Sequence, residues 1–505
     1  MLRKIRIGLQ VVVMTSVTLL LLGASWSLST WLGWAAKIQF LPALMALNAG
    51  VLVCLTVMTL LLGRAYCSVI CPLGILQDVF GWLGKKQKKN RYSHSAEKRW
   101  LRYGVWVVFV ICLIVGFAPV TTLLAPYSAY GRIVNTLFKP LYDLLQNGLA
   151  AIELNYESYM FSNVELWLRS VTTMAVAVLT LAVLGWLAWR NGRTYCNTIC
   201  PVGTTLSFFS RFSLMKVRMD KEKCKNCGMC EKNCKAAAIN FRTGEIDYSR
   251  CVVCGDCIDK CKFDSLHYEG GESLRRLKSL LSSKSSKGSE SEPESVSEGR
   301  RAFLAGLAVA AGSAAMAQAK VKVDGGLAMI EDKQEPRRET KIVPAGAVGL
   351  RYMSKHCTAC QLCVSSCPND VLRPDSDPLR LMQPYMSFEK GYCRPECTRC
   401  SEVCPAGAIK PITREDKTAI HIGHAVWLEA NCLAMQEGVE CHSCETHCPA
   451  GAITLVEREN KDGKTVHTPM VAPWLCIGCG ACENMCPARP FPGIYVEGNE
   501  VHSVE

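Results

Sequence analysis

Histidine is scarce in this chain of 505 residues, nine in all. None lies in the four longest apolar stretches, residues 8–28, 41–63, 103–124 and 167–189. A haem carried inside a helical bundle takes axial ligands, commonly histidine, from the helix interiors, so haem is excluded there. Charge is nearly missing from the same stretches, Arg169 being the one exception. Pumping through a buried polar relay needs Asp, Glu, Lys or His chains, and none is present. Positive charge is not lacking elsewhere, at a net +13. It crowds beside the apolar stretches, where loop charge orients helices in a bilayer, and no nucleic-acid partner is expected.

Each apolar stretch has about the twenty residues that a hydrocarbon core of about 30 Å requires. The expected fold class is therefore a membrane α-helical bundle of four helices, with a fifth anchor or signal helix, joined to α+β ferredoxin-like iron–sulfur domains. Nine Lys and Arg fall between residues 64 and 102, which marks that loop as cytoplasmic. The loop 125–166 carries Asp143, Glu153, Glu157 and Glu165 against Arg132 and Lys139, which places it outside, with those carboxylates as candidate proton acceptors. Residues 299–319 combine Arg300-Arg301, a small-residue apolar run and a terminal Ala-Gln-Ala, the pattern of a twin-arginine-like export signal. A domain that acquires clusters before export must cross folded, which suits that signal.

Cysteine is abundant, thirty residues, and 24 of them fall into six runs of four with the short gaps of metal ligation. Six [4Fe–4S] clusters are the expected cofactors. Two runs, Cys224, Cys227, Cys230, Cys234 and Cys251, Cys254, Cys257, Cys261, have the spacing of a two-cluster ferredoxin, in which the fourth cysteine serves the other cluster. The expected ligand sets are Cys224, Cys227, Cys230, Cys261 and Cys251, Cys254, Cys257, Cys234. Lys235 and Lys262 stand where proline usually follows the fourth cysteine.

Four later runs each end in Cys-Pro, the outer two with regular gaps and the inner two with longer ones. That symmetry predicts nested pairing. The outer runs would give Cys357, Cys360, Cys363, Cys486 and Cys476, Cys479, Cys482, Cys367. The inner runs would give Cys393, Cys397, Cys400, Cys448 and Cys432, Cys441, Cys444, Cys404, with sequential pairing as the alternative.

An internal repeat separates from these runs. GRAYCSVICPLG from Gly63 and GRTYCNTICPVG from Gly192 lie 129 residues apart, each after an apolar stretch. Cys67, Cys71, Cys196 and Cys200 are candidate redox residues that could hold a cluster, act as thiols or line a quinone pocket. Cys54 and Cys112 have no partner spacing and read as small buried hydrophobes. The chain thus divides into a membrane domain (1–215), a cytoplasmic ferredoxin (216–268), a polar linker (269–298), the signal helix (299–319), a second linker (320–344) and an exported ferredoxin (345–505).

Four helices, two Y-C-x3-C-P-x-G units and a two-cluster ferredoxin make residues 1–265 resemble the NapH-type membrane subunit of the quinol dehydrogenase serving periplasmic nitrate reductase. Residues 299–505 resemble its exported NapG/MauM-type four-cluster partner. Joining both in one polypeptide departs from that family, and the flavin domain of NosR-type relatives is absent. The resemblance implies an inner-membrane protein that takes electrons from menaquinol and the quinone pool, across membrane lipid, to a periplasmic reductase or c-type cytochrome. The competing function is an electron donor for assembly of metal or thiol sites in a respiratory enzyme.

Overall fold

The computed structural model describes residues 2–23, 26–86, 92–153, 163–164, 167, 169–270 and 331–504. The signal segment 299–319, residues 271–298 of the first linker, residues 320–330 of the second, and Glu157 and Glu165 lie outside the described residues; residues 331–344, expected to be linker, are described and bury Ile342 and Val343 in the core.

Eight helices carry the first half of the chain's argument: α1 (Leu2–Leu22), α2 (Ala49–Leu62), α3 (Pro72–Lys86), α4 (Arg99–Val115), α5 (Ala118–Leu124), α6 (Pro126–Ile133), α7 (Val171–Asn191) and α8 (Pro201–Ser210). Their bounds differ from four equal apolar spans. The first begins earlier, at Leu2, and stops at Gly23, whose left-handed φ of 69° and close approach to the Ser365 backbone carbonyl exclude any Cβ. The second splits into Phe40–Met45 and α2, because Asn48 caps α2 by accepting from the Val51 amide at 3.3 Å. The third ends at Gly116, φ 83°, before Pro119 starts α5. Only α1 and α7, 21 residues each, are long and apolar enough among the described helices to cross a membrane, while α2 is equally apolar but has 14 residues.

Burial follows helical periodicity. In α1, Val13, Val17, Leu20 and Leu21 face inward while Leu9, Val12 and Leu19 are exposed. α6 is buried along its whole length and packs against α3 and α7. α4 turns Val107, Ile111, Ile114 and Val115 outward, and α7 does the same with Val171, Val178, Leu179 and Val183.

The cysteine-rich segments form small sheets and short helices. β1 (Met215–Met219) pairs with β2 (Leu266–Gly270) to close the two-cluster unit. β3 (Ile420–Trp427) pairs antiparallel with β4 (Ile494–Val504), and Ile420, Ile422, Ile494 and Val496 alternate into the core with Phe388 and Ile409.

Residues 1–269 and 333–505 make one unit, and its contacts order its parts. At the start of α1, Arg3 pairs with Asp259 at 2.6 Å and Arg6 with Asp256 at 3.4 Å, while its end meets Ser365. α7 runs the other way: Arg169, just before it, pairs with Asp370, and the Arg193 amide, just after it, donates to the Lys235 carbonyl at 2.8 Å. The two-run and four-run ferredoxins therefore sit at opposite ends of two antiparallel helices, each about 30 Å long at 1.5 Å per residue.

One histidine gives this unit an acid sensitivity. Burial in β4 pushes His502 down to about 4 from 6.5, and neither ring nitrogen has a partner among the described residues. The unfolded chain then binds the extra proton first, so stability present above pH 6.5 falls as pH drops toward 4. Urea unfolding of wild type and His502→Phe should show this: the variant keeps the same stability between pH 6.5 and 4.5 to which wild type is sensitive, and parallel curves would refute the assignment.

Candidate functional site

Each regular cysteine run bends the same way. The second and fourth residues after its first cysteine are left-handed: Asn226 and Gly228, Val253 and Gly255, Ala359 and Gln361, Gly478 and Gly480, with φ between 49° and 78°. Four of these are not glycine, and a β-branched valine seldom adopts that conformation. The curl is followed at once by a short helix that carries the third cysteine, such as Met229–Asn233 or Leu362–Ser366. After the fourth cysteine the chain turns left-handed again, at Ala237, Asp264, Asp370, Gly407 and Gly451. The next amide then points at sulfur: Ala238 N to Cys234 Sγ and Ser265 N to Cys261 Sγ at 3.4 Å, Ala452 N to Cys448 Sγ at 3.3 Å. Amide donors aimed at thiol sulfur fit an anionic thiolate ligand.

Burial pushes the Cys234 thiol up to about 11 and those of Cys251, Cys444 and Cys479 up to about 12. They are protonated at neutral pH without a metal, and ligation must release those protons. Among the described residues no three His, Cys, Asp or Glu side chains close on a single ion. Cys234, Cys251, Cys254 and Cys257 line one small cavity, and Cys448, Cys476, Cys479 and Cys482 line another.

The grouping of thiols corrects one expectation. In the two-run unit the thiols that act on Cys257 are Cys254, Cys251, Cys234 and Cys230. In the four-run unit Cys363 neighbours Cys357, Cys360 and Cys404, and Cys400 neighbours Cys393, Cys367 and Cys397. Cys482 neighbours Cys479, Cys476 and Cys448, and Cys444 neighbours Cys441 and Cys432, which leaves Cys486 for that last group. Nested pairing, with Cys486 beside Cys357 and Cys448 beside Cys393, is not what forms. Consecutive runs pair because the helix Leu362–Ser366 packs on Arg399–Val403 and Ser443–Thr446 packs on Ala481–Met485. The two pairs join where the Cys393 amide donates to the Cys479 carbonyl at 2.9 Å.

The internal repeat builds a further site. Cys67, Cys71, Cys196 and Cys200 are each 4% exposed, and Cys200 neighbours the other three. The halves exchange arginines: Arg64 donates to the Cys196 carbonyl at 3.1 Å and to Asn197 at 3.0 Å, and Arg193 donates to the Cys67 carbonyl at 2.7 Å. Donors also reach the sulfurs, with Gln77 Nε2 3.3 Å from Cys196 Sγ and Gly203 N 3.4 Å from Cys200 Sγ. A Cβ at Gly74 or Gly203 would strike the carbonyl of Cys67 or Cys196, so close approach demands both glycines. Cys54 is exposed and Cys112 half-buried, so neither is the buried hydrophobe expected of it.

Beside this quartet lies a buried ion network. Asp78 on α3 accepts from Arg193 at 2.7 Å and meets Lys235 at 3.0 Å and Arg6 at 3.4 Å. Burial alone would raise the Asp78 carboxyl, yet Arg193 and Lys235 hold it well below the usual carboxylate range. Lys235 also reaches Asp256 at 3.1 Å. The lysine in place of proline after Cys234 thus ties the two-run ferredoxin to the helices, whereas Lys262 is simply exposed. Sequence reasoning passed over Arg64 and Arg193, although both stand inside the repeated unit, directly after its glycine.

Known proteins agree with this geometry. A model of a 4Fe-4S binding domain matches residues 45–90 and 171–220, the two repeat units, and a model of a 4Fe-4S dicluster domain matches 439–489. YccM of Escherichia coli K12, named for electron transport, is 28% identical over 194 residues, 38% of this chain and 47% of that protein. The chain thus spans about half of that relative's length. The methylamine utilization ferredoxin-type protein MauM of Methylobacillus flagellatus is 31% identical over 165 residues, 32% of this chain and 70% of its own. The ferredoxin-type protein NapF of Escherichia coli K12 is 31% identical over 147 residues, 28% of this chain and 79% of its own.

Proposed function

The chain belongs to the ferredoxin-type iron–sulfur electron-transfer proteins, and we propose that this member is a membrane-bound quinol dehydrogenase that delivers menaquinol electrons to a periplasmic reductase or c-type cytochrome. One observation carries the reading: two ferredoxin units lie at opposite ends of the same antiparallel helices, with four buried thiols between them. The outward apolar faces of α1, α2, α4 and α7 support seating in lipid, the shorter two with help from flanking segments. Loop charge puts the two-run unit on the cytoplasmic side and the four-run unit on the periplasmic side. The same arrangement supports reading the chain as a fused NapH-type and NapG-type organisation.

[4Fe–4S] groups supply one-electron transfer when bound; the chain decides where they sit and what surrounds them. Six are held by the ferredoxin runs, and the quartet Cys67, Cys71, Cys196 and Cys200, inside the matched 4Fe-4S binding domain, holds a seventh. Arg64 links the quartet to the two-run unit by donating to the Ser249 carbonyl at 2.9 Å beside Cys251. In the four-run unit the order runs from Cys357 through Cys393 and Cys476 to the group of Cys432 and Cys441, where Glu440 and His442, on either side of Cys441, are exposed and present an exit to the acceptor. Asp143 does not serve as a free proton acceptor, because Lys139 pairs with it at 3.4 Å.

Anaerobically purified protein should hold about 28 iron atoms, four per cluster. In proteoliposomes menaquinol should reduce the exported centres, and Cys67→Ser with Cys196→Ser should remove about four iron atoms and slow equilibration between the two ferredoxins by at least tenfold. A fully loaded protein that no quinol reduces would refute the dehydrogenase reading and favour the assembly-donor function.

A further inference from the structure

Arg132 on α6 is fully buried, and no carboxylate pairs with it among the described residues. Its Nη1 donates to the Thr122 carbonyl at 2.8 Å, while Nε and Nη2 have no partner among the described residues. The ionisable groups that act on it are the Tyr195 hydroxyl and the Cys360 thiol, and no carboxylate is among them. Arginine stays protonated in proteins, and a buried cation without a counter-charge is strongly unfavourable. The arrangement is self-consistent only when something anionic occupies one of those directions.

Tyr195 and Cys360, which act on Arg132, each belong to a thiol-rich neighbourhood. Toward the four-run unit, Gly131 lies against the Cys360 carbonyl so closely that a Cβ would collide with it, and Asn135 Nδ2 donates to the Gln361 carbonyl at 3.0 Å. α6 therefore seats directly on the left-handed loop that curls around Cys357, Cys360, Cys363 and Cys404. Toward the two-run unit, Tyr195 donates to the Leu124 carbonyl at 3.1 Å and neighbours Cys200, Cys196 and Cys71 of the quartet.

We propose that Arg132 is a positioning residue whose guanidinium is the counter-charge for the redox group held by Cys357, Cys360, Cys363 and Cys404, making that centre the favoured landing point for electrons leaving the helical domain. The proposal rests on the reading of those cysteines as a cluster seat. Each arriving electron adds negative charge to the group, and a fixed cation at its edge stabilises the reduced form more than the oxidised form. Four thiolates and a buried arginine thereby satisfy one another.

The test is an EPR-monitored redox titration of the full chain, anaerobically purified, with Cys404→Ser identifying the signal of this centre. Arg132→Gln should lower its reduction equilibrium constant about tenfold, a fall of about 59 mV for one electron. Arg132→Lys, which keeps the charge, should retain most of the wild-type potential, and the distant centre at Cys224, Cys227, Cys230 and Cys261 should not move. If Arg132→Gln does not accumulate, Gly131→Ala, which must push the Cys360 loop off α6, should shift the same centre in the same direction. An unchanged potential, or an equal shift at every centre, overturns the proposal. Loss of no signal and no iron in Cys404→Ser would overturn the cluster reading itself, and the inference with it.

Discussion

Cys404→Ser is expected to damage the cluster of Cys357, Cys360 and Cys363, while Cys486→Ser damages the cluster of Cys432, Cys441 and Cys444. Each change should remove about four iron atoms when the site is lost outright. Their effects on electron flow differ, because the first site lies against α6 at the head of the four-run unit and the second lies at its far end. If the proposed function holds, Cys404→Ser should leave the centres of the four-run unit unreduced by quinol, whereas Cys486→Ser should leave three of them reducible and block only delivery to an acceptor. Iron analysis with EPR of the quinol-treated protein reads both outcomes. If Cys486→Ser instead abolished the Cys357 centre, nested pairing would be restored.

Arg193→Leu should be among the most destabilising single changes in the helical domain. Arg193 and Asp78 have 0% and 10% side-chain exposure and meet in two hydrogen bonds, of 2.7 and 2.8 Å. Removing one member of a buried pair strands the other, which costs about 3–5 kcal/mol; Lys235 and Arg6 remain beside Asp78, so about 3 is expected. The Cys67 carbonyl also loses its donor. Arg193→Leu with Asp78→Leu should recover much of the loss, since no charge is then stranded. Thermal unfolding in detergent across the double-mutant cycle measures the coupling, and strictly additive effects would show that the pair contributes nothing beyond its parts.

The cysteine spacing was sufficient to locate the cluster loops, because ligand geometry fixes the gaps and the gaps appear in the sequence. It was insufficient for pairing. Which fourth cysteine joins which run depends on how the helices Leu362–Ser366 and Arg399–Val403 pack, and gap symmetry carries no information about that contact. The helix ends were missed for a local reason: hydropathy averages across Gly116 and Asn48, while a left-handed glycine and a side-chain cap stop the hydrogen-bond ladder within one residue. The buried ions were least legible. Arg132 reads as an ordinary loop charge, and its environment exists only after Tyr195 and Cys360 arrive from distant segments to join Thr122 of the preceding helix. Lys235 had left a trace, the missing proline, whose meaning depended on Asp78 and Asp256.

The exchange of arginines across the duplicated unit bears on how such a chain could arise. A polypeptide with one copy would bury a guanidinium reaching for a carbonyl that is not there, and would expose half of a four-thiol seat. Both deficits vanish when a second copy is placed by a twofold axis, each subunit handing its arginine to the other. The chain carries, within one polypeptide, an exchange of the kind a symmetric dimer makes, and residues 75–191, between the two copies, form the tether that holds them together. Separately produced halves should accordingly find one another.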